Sequence, residues 1–312
     1  MNPQLEPILS EIEKAVVGKR GVIEKILMAL LAEGHILLDD VPGVGKTTLA
    51  VALSRALGLD FSRIQFTPDV LPSDIIGFSV YDRQSGEFVY RPGAVTNANL
   101  LLGDEINRTS SKTQSALLEA MEERQITVDG HTYPLPKPFI VIATQNNVGT
   151  AGTQLLPYAQ MDRFLVRLSV GYPDHDAQIA MLRARQDENP LDRVHPVASR
   201  EDVLAMQTAV RAESVSDAIL DYITRLTMAS REHPMLEVGV SPRGALCLCR
   251  MAKARAYLLG RDYVVGEDVQ DVWQDVCAHR VAATPKARLS GVTGADILRG
   301  VLSSVESPDQ RL

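Results

Sequence analysis

The chain has 312 residues, of which 45% are hydrophobic and 23% are charged, and this ordinary balance excludes wholesale disorder. Its formal net charge is −7, and neither the first 190 residues nor the remainder is basic, so no nucleic-acid partner is expected. Three cysteines cannot cross-link a fold of this size, which indicates reduced thiols in a cytoplasmic protein. No apolar run approaches the ~20 residues of a membrane span, and the first residues lack the pattern of a secretory signal.

The first 190 residues or so alternate short apolar runs with helical patterns, which predicts an α/β domain with a mainly parallel sheet. Most of these runs are continuously apolar, as expected for strands that are covered on both faces. The predicted strands are His35–Leu38, Ile64–Phe66, Asn99–Leu102, Phe139–Ala143 and Phe164–Val170. The predicted helices are Gly18–Glu33, Thr47–Leu57, Lys112–Glu123 and His175–Gln186.

Two further segments carry the signals of β-hairpins. The predicted strand pairs are Phe78–Asp82 with Glu87–Arg91, and Ile126–Val128 with His131–Leu135. A turn at Arg83–Gly86 joins the first pair, and Asp129-Gly130 joins the second. Asp-Gly between residues that favour strands is the stronger of the two turn signals.

After about Pro190 the strand pattern stops. The polar segment Glu188–Val197 contains two prolines and predicts a linker, which divides the chain into domains 1–190 and 191–312. The second domain is predicted to be entirely helical and small, which suits a lid or an adaptor. Its helices are predicted to begin at or after Ser199, Ser216, Ser241, Gly266 and Gly294.

The segment Asp40-Val-Pro-Gly-Val-Gly-Lys-Thr47 lies between a predicted strand and a predicted helix, the setting that a phosphate-binding loop requires. Its glycines allow backbone N–H groups to surround phosphate oxygens, and the following helix directs its positive end at them. Lys46 would contact the β- and γ-phosphates of a nucleotide, and the Thr47 hydroxyl would ligate Mg²⁺. The predicted nucleotide-binding residues are Pro42, Gly43, Val44, Gly45, Lys46, Thr47 and Thr48. Because Asp40 stands where such loops usually begin with glycine, an ordinary turn before a helix is the alternative.

Two other predicted strands end in polar residues that would complete such a site. Asp104 and Glu105 follow an apolar strand; Asp104 would hold Mg²⁺ through water, and Glu105 would orient and deprotonate the attacking water. Asn146 lies in a polar cluster after Phe139–Ala143, where it could hydrogen-bond the γ-phosphate or that water. The alternatives are a solvated acidic turn for the carboxylates and a simple turn residue for the asparagine.

Together these segments resemble the AAA+ ATPases and, within them, the MoxR group. The resemblance rests on Val41–Thr47, Leu100–Arg108, Lys112–Glu123, Ala143–Asn146, Ala159–Phe164, Ser241–Arg243 and Gly260–Val269. It covers nearly the whole chain and implies an αβα nucleotide-binding domain followed by a helical lid, with ATP at their junction. The first glycine of the loop is often replaced in this family, whereas Asn147 and Tyr158 depart from its pattern.

The resemblance implies roles for two arginines. Arg163 aligns with the arginine finger, which reaches the γ-phosphate of a neighbouring subunit; the alternative is an arginine paired with Asp162 or another acid. Arg243 aligns with the second sensor, so the resemblance implies that the lid supplies Arg243 and closes the pocket over ATP bound to the same chain. Because Ser241 is typical of an N-cap, Arg243 would lie in a helix's first turn, where the helix dipole opposes a cation by ~0.3–1 kcal/mol. An anion should offset that opposition, and the candidates are ATP phosphate and a nearby glutamate.

The function implied is that of a Mg²⁺-dependent ATP hydrolase that forms a ring, most simply a hexamer, and remodels a protein client. Metal or cofactor insertion, with a partner that carries a von Willebrand factor A domain, is one form of this function. By resemblance the two hairpins would face the pore of the ring and touch the client; the alternative is two solvent hairpins without a partner. An ATP-switched scaffold with little turnover, a nucleic-acid motor and a magnesium-chelatase-like subunit are the other functions considered.

Overall fold

The computed structural model describes residues 1–146, 156–184, 186 and 189–308. Its strands are β1 Ile36–Asp39, β2 Phe61–Gln65, β3 Phe78–Asp82, β4 Glu87–Arg91, β5 Leu100–Asp104, β6 Gln125–Val128, β7 His131–Pro134, β8 Ile140–Gln145, β9 Val166–Leu168, β10 Leu236–Val238 and β11 Ala282–Ala283. Its helices are α1 Glu6–Glu13, α2 Arg20–Leu31, α3 Lys46–Ala56, α4 Pro72–Ile76, α5 Ser111–Glu123, α6 Tyr158–Met161, α7 His175–Ala184, α8 Arg200–Ala212, α9 Asp217–Glu232, α10 Pro242–Leu258, α11 Gly266–Cys277, α12 Pro285–Leu289 and α13 Gly294–Ser304.

Five parallel strands form the central sheet in the order β2-β5-β8-β1-β9. Successive residues of β1 enter different hydrophobic clusters, with Ile36 and Leu38 in one and Leu37 in the other. The sheet is therefore covered on both faces, which explains its continuously apolar strands. The predicted fold class is confirmed, and all five predicted strands are present with their ends shifted by a few residues. Because the strands are parallel, the sheet has a carboxyl end, where all five strands end, and an amino end, where all five begin.

Both predicted hairpins are present. The first pairs β3 with β4 in an antiparallel register, and its strands have the predicted bounds. The second pairs β6 with β7 around Asp129 and Gly130, whose φ angles of 50° and 79° are those of a type I′ turn. The first hairpin exposes several large apolar side chains, among them Tyr81 and Phe88.

The C-terminal part is mainly helical, but the prediction that it is entirely helical is wrong. The strands β10 and β11 form a small antiparallel sheet within it. They have three and two residues, too few to show a period-two pattern in the sequence. Three of the predicted caps are confirmed, since the hydroxyls of Ser199, Ser216 and Ser241 each accept a hydrogen bond from a backbone N–H in the first turn of the following helix.

The first two helices pack against the C-terminal part as well as beneath the sheet. Helix α2 contacts α8 and α10, and the Nε2 of Gln207 donates to the carbonyl of Leu30 at 2.8 Å. One hydrophobic cluster runs from the sheet through α1 and α2 into the C-terminal helices. The boundary between 1–190 and 191–312 thus stays a prediction. Among the described residues no helix has the length and apolarity to cross a membrane, and the three cysteines are free thiols.

Candidate active site

Residues 40–45 form a tight loop between β1 and α3 at the carboxyl end of the sheet. Gly43 and Gly45 have φ angles of 85° and 90°, a left-handed conformation that lets the loop curl around a ligand. A Cβ on either glycine would meet no atom within 4 Å, so the space beside the loop is open. Gly45 is the N-cap of α3, and Lys46 and Thr47 begin its first turn. This geometry is that of a phosphate-binding loop.

Lys46 is half-buried at the base of this loop. Its Nζ donates to the backbone carbonyl of Asp40 at 2.9 Å. Burial lowers the pKa of the Lys46 ammonium, and the nearby carboxylates of Asp40 and Asp104 oppose this shift. The ammonium is therefore attracted by negative charge while it is hydrogen-bonded to a neutral carbonyl, which leaves it ready to bind a phosphate.

Asp40, which replaces the usual first glycine, anchors the loop to the edge of the sheet. Its carboxylate accepts hydrogen bonds from the Ser169 hydroxyl at 3.1 Å and from the backbone N–H groups of Val170 and Gly171, which follow β9. Among the described residues, Asp40 is not one of those with a positive φ. The position therefore needs no glycine, and the aspartate ties the loop to the strand beside β1.

Asp104 and Glu105 lie at the end of β5, and the end of the adjacent β8 brings Thr144 against them. The Thr144 hydroxyl donates to Asp104 Oδ1 at 2.6 Å and accepts from the backbone N–H of Glu105 at 2.9 Å. Glu105 has φ 58° and ψ 49°, a left-handed conformation that costs a residue other than glycine about 1–3 kcal/mol. The hydroxyl of Thr144 thus holds the two carboxylate residues in a fixed and unusual backbone geometry.

Each of these carboxylates also has a cationic partner. Arg63 donates to Asp104 Oδ2 at 2.9 Å, and Arg108 donates to Glu105 Oε2 at 2.7 Å. The Nε2 of Gln65 reaches the same Glu105 oxygen at 3.2 Å. Both arginines are nearly half exposed, so these pairs are worth little and can exchange for other partners.

Asn146 directly follows β8, at the same end of the sheet. The Nδ2 of Asn107 donates to the Asn146 carbonyl at 3.2 Å, which ties the loop after β5 to the loop after β8. The side-chain oxygens of Asn107 and Gln145 are buried and have no hydrogen-bond partner among the described residues. Asn147, the other asparagine of the predicted polar cluster, lies outside the described residues. The structure therefore brings Lys46, Thr47, Asp104, Glu105 and Asn146 together at the carboxyl end.

Arg163 lies at the opposite end of the sheet, in the turn that leads into β9. Its Nε donates to Glu122 Oε2 at 2.9 Å, and Glu122 lies near the end of α5. Neighbouring residues fix this position, because His35 bonds the carbonyl of Met121 at 3.0 Å just before β1 begins. A β-strand rises ~3.3 Å per residue, so the length of β1 places Arg163 roughly 15 Å from the phosphate-binding loop of the same chain.

Arg243 lies beside Arg163. Its Nη2 donates to Glu122 Oε1 at 2.5 Å, so one carboxylate bridges both arginines. The anion that offsets the helix dipole at Arg243 is thus the glutamate, the alternative that the sequence left open. The expectation that Arg243 closes over ATP bound to its own chain is wrong, because α10 begins at the amino end of the sheet. A hydrogen bond of 3.2 Å from Ser241 to Asp162 fixes that start.

The donor set at the carboxyl end fits Mg²⁺ and a nucleoside triphosphate. The described residues contain no cluster of three or more His, Cys, Asp or Glu side chains that could enclose a metal ion. One carboxylate, Asp104, and one hydroxyl, Thr47, suit Mg²⁺, which usually takes few protein ligands and completes its shell with phosphate oxygens and water. The open loop before α3 suits the phosphates themselves.

Comparison with known proteins agrees with this geometry. Residues 35–166 match the family model described as "ATPase family associated with various cellular activities (AAA)", and residues 228–301 match an AAA lid domain. The chain is 46% identical to "Uncharacterized protein YeaC" of Bacillus subtilis, over 100% of this chain and 97% of that protein. It is 39% identical to "Chaperone MoxR1" of Mycobacterium tuberculosis, over 97% and 82% respectively. A crystal structure of a "putative ATPase" from Cytophaga hutchinsonii matches with a TM-score of 0.91 and 37% identity, covering 98% of this chain and 95% of that one.

The fold and the site define an AAA+ ATPase domain with its lid. The chain belongs to the MoxR family of AAA+ ATPases. No role is predicted for Thr144 or Glu122 from the sequence patterns, although both are central to the geometry. Thr144 could have been recognised as the polar residue that ends a buried strand next to Asp104. Glu122 carried no such signal, since its partners are distant in sequence.

Proposed function

We propose that the protein is a Mg²⁺-dependent ATP hydrolase that assembles into a ring, with a hexamer as the expected closed form, and remodels a protein client in the cytoplasm. The observation that carries this proposal is the separation of the phosphate-binding loop and the two bridged arginines at opposite ends of one sheet. A site that needs both can be completed only by a second copy of the chain. Head-to-tail contacts of this kind generate rings when the rotation closes.

Within one chain, the residues at the carboxyl end would bind and orient ATP. The loop N–H groups and Lys46 would hold the phosphates, while Thr47 and Asp104 would hold Mg²⁺, which neutralises charge between the β- and γ-phosphates. Glu105 would accept a proton from the attacking water, and Asn146 would fix the position of that water. Before it can act, Glu105 must break its contacts with Arg108 and Gln65. The free-energy cost is small because the ion pair with Arg108 is exposed to solvent.

The adjoining chain would supply Arg163 and Arg243. Their side chains are 31% and 43% exposed, and that of the Glu122 between them is 36% exposed. Ion pairs this exposed contribute about 0–1 kcal/mol, so the triphosphate of a neighbour can replace the glutamate as their partner. We assign Arg163 to the γ-phosphate and Arg243 to the same nucleotide. Both would therefore act between chains, in contrast to the expectation from the sequence for Arg243.

The first hairpin is the proposed contact for a protein client. Phe88 is 74% exposed and Tyr81 is 54% exposed, and their rings meet edge to face at 5.5 Å on the surface. An exposed aromatic pair on a hairpin can bind apolar segments of an unfolded or partly folded chain. The relative named Chaperone MoxR1 supports a chaperone-like role. A partner with a von Willebrand factor A domain, and the insertion of a metal or cofactor into the client, belong to this proposal as its specific form.

The test of the ATPase is a complementation experiment. Wild-type protein should hydrolyse ATP, and Lys46→Ala, Glu105→Gln and Arg163→Ala should each lower kcat by about 10³-fold or more. A mixture of Lys46→Ala and Arg163→Ala subunits should recover activity, because the intact loop of one chain then meets the intact arginine of the other. Wild-type turnover that Lys46→Ala and Glu105→Gln both leave intact would reject the site. A mixture that recovers nothing would reject the assignment of Arg163 to the neighbour.

The same proteins separate the ATPase from an ATP-switched scaffold. A scaffold would form rings with ATP, as seen by light scattering, and would show no turnover even when client is present. For the client itself, the Glu105→Gln protein should retain ATP and hold its client through affinity purification. The matched control is Glu105→Gln combined with Phe88→Ser, which should lose the client and keep the ring. Equal recovery of client by both proteins would place the client contact elsewhere.

A further inference from the structure

Arg280, just after α11 in the lid, is a buried cation that forms hydrogen bonds with the turn carrying Arg163. Its side chain is 1% exposed. Its Nε donates to Asp162 Oδ1 at 2.8 Å, and its Nη2 donates to the carbonyls of Asp162 at 3.3 Å and Phe164 at 2.5 Å. Its Nη1 donates to the carbonyl of Leu165 at 3.2 Å. One guanidinium therefore binds the backbone on both sides of Arg163.

This attachment is rigid because the guanidinium is buried and its N–H groups have hydrogen-bond partners. Its remaining contacts are the carbonyl of Val276 and the Nε2 of His279 at 2.7 Å. A buried guanidinium that lacked partners would be strongly unfavourable, so any movement of the turn away from Arg280 is resisted. By contrast, the contact of Arg163 itself with Glu122 is partly exposed and weak. The position of Arg163 is thus set by its backbone, which Arg280 holds, more than by its own side-chain partner.

The same network reaches the second arginine. Asp162 presents one carboxylate oxygen to Arg280 and the other to the hydroxyl of Ser241, at 3.2 Å. That hydroxyl also accepts the backbone N–H of Gly244 at 3.0 Å, which caps the helix that carries Arg243 in its first turn. Asp162 therefore joins the turn of Arg163 to the start of α10, and the two arginines are held in one frame.

We propose that Arg280 is a positioning residue for ATP hydrolysis, which fixes the turn at residues 162–165 so that Arg163 is aimed at the ATP bound by the adjoining chain. This inference rests on the proposed action of Arg163 between chains. It also means that the lid of one subunit sets the geometry at its neighbour's nucleotide, because Arg280 belongs to the lid and Arg163 to the ATPase domain. A misplacement of about 1 Å at a reacting centre can lower the rate by 10²-fold, so the frame matters even though Arg280 touches no substrate.

The variant for the test is Arg280→Met, which keeps the length of the side chain and removes its donors. It should bind ATP as wild type does, because its own loop is intact, and should lower kcat by about 10²-fold. Arg280→Lys keeps the buried charge with fewer hydrogen-bond donors. Its kcat should lie between the values of wild type and Arg280→Met. The matched control is Arg261→Met, since Arg261 is also a lid arginine bonded to an aspartate, Asp268 at 2.6 Å, but does not contact the turn. That control should leave kcat of the assembled protein unchanged.

Two further measurements separate positioning from loss of folding. Mixing Arg280→Met with Lys46→Ala subunits should recover turnover. Mixing Arg280→Met with Arg163→Ala subunits should not, because neither kind of subunit then has a correctly placed Arg163. In the Arg163→Ala background only the position of Arg243 is left to disturb, so adding Arg280→Met should lower kcat by much less than 10²-fold. If Arg280→Met does not yield soluble rings, Arg280→Lys carries the same mixing and double-variant tests.

The outcomes distinguish this inference from the function on which it rests. Undiminished kcat in Arg163→Ala would overturn the proposed role of the finger itself. A large loss in Arg163→Ala together with wild-type kcat in Arg280→Lys and Arg280→Met would overturn the positioning role alone. Additive losses in the double variant, or losses in Arg280→Met that Lys46→Ala subunits do not restore, would likewise show that Arg280 acts only on the fold.

Discussion

The phenol rings of Tyr90 and Tyr133 stack with their centroids 4.3 Å apart and their planes 14° from parallel. Tyr90 belongs to the first hairpin and Tyr133 to the second, so the two hairpins form one structural unit at the surface of the ATPase domain. The Tyr90 hydroxyl also bonds the carbonyl of Ile76 at 2.5 Å, which ties this unit to the end of α4.

We expect Tyr90 and Tyr133 to be energetically coupled. A double-mutant cycle with Tyr90→Leu and Tyr133→Leu should give a coupling of about 0.5–1.5 kcal/mol in urea unfolding, the range for stacked aromatic pairs. The matched pair is Tyr81 with Phe88, which meets edge to face in solvent and should couple more weakly. A coupling near zero for the stacked pair would mean that the hairpins move independently.

Replacing Asp40 by the glycine that is usual at this position of the loop should lower the free energy of unfolding. Asp40→Gly removes a carboxylate that accepts hydrogen bonds from Ser169, Val170 and Gly171, and a hydrogen bond to a charged group makes a net contribution of about 1.5–3 kcal/mol. The expected loss is about 2 kcal/mol in the free energy of unfolding. Asp40→Asn retains an acceptor and should lose less. Equal stability of Asp40→Gly and wild type would show that the anchor contributes nothing.

Thr144→Val should impair turnover without impairing the fold to the same degree. The substitution keeps the shape of the side chain and removes the hydroxyl that holds Asp104 and the Glu105 backbone. Loss of such a supporting contact typically costs 10–100-fold, so we expect kcat to fall by about tenfold or more. Thr113→Val is the matched control, because its buried hydroxyl donates to the Val70 carbonyl at 2.8 Å, away from the predicted catalytic residues. A similar kcat for both variants would reject a specific role for Thr144.

Acid should destabilise the protein through His35. Burial lowers the pKa of the His35 imidazole from its ordinary value of 6.5 to about 4. In the folded chain this neutral ring accepts from Val141 N–H and donates to the Met121 carbonyl, each at 3.0 Å. The unfolded chain takes up a proton below pH 6.5 that the folded chain refuses until about pH 4. Stability from this group is therefore complete above pH 6.5 and lost as the pH falls towards 4, by up to about 3 kcal/mol.

The measurement is urea unfolding between pH 7.5 and pH 4.5 for wild type and His35→Gln. Glutamine can also accept and donate a hydrogen bond but does not titrate, so the variant should show a flatter dependence on pH across this range. Parallel curves for the two proteins would assign the acid sensitivity to other groups.

Local signals in the sequence were enough to predict much of this fold. The strands of the first hairpin and the Asp129-Gly130 turn follow from residue types that favour these conformations on their own. Lys46, Asp104 and Asn146 follow from the rule that parallel strands end together, which needs no knowledge of the remaining packing. Helix α1, by contrast, has only eight residues and no N-cap side chain, so its sequence signals are limited to Glu6 and Pro7 in its first turn.

What the sequence could not supply is the placement of the lid. Arg243 was correctly expected in the first turn of a helix, because Ser241 and Pro242 are local signals. Its position beside Arg163 depends on Glu122 and Asp162, which lie 121 and 79 residues away from their partners Arg243 and Ser241 along the chain. No pattern within a single element encodes contacts of that separation.

The contact between the beginning of the chain and the end of α10 has a consequence for biosynthesis. Asn2 donates from its backbone N–H to Leu258 and from its side chain to Tyr257, and the Tyr257 hydroxyl bonds Gln4. Asn2 and Tyr257 are 255 residues apart, which a ribosome adding 5–20 residues per second separates by roughly 10–50 s. During most of that interval the face of α2 that packs against α10 lacks this native partner, so we expect the nascent chain to bind the cell's holding chaperones until α10 is made.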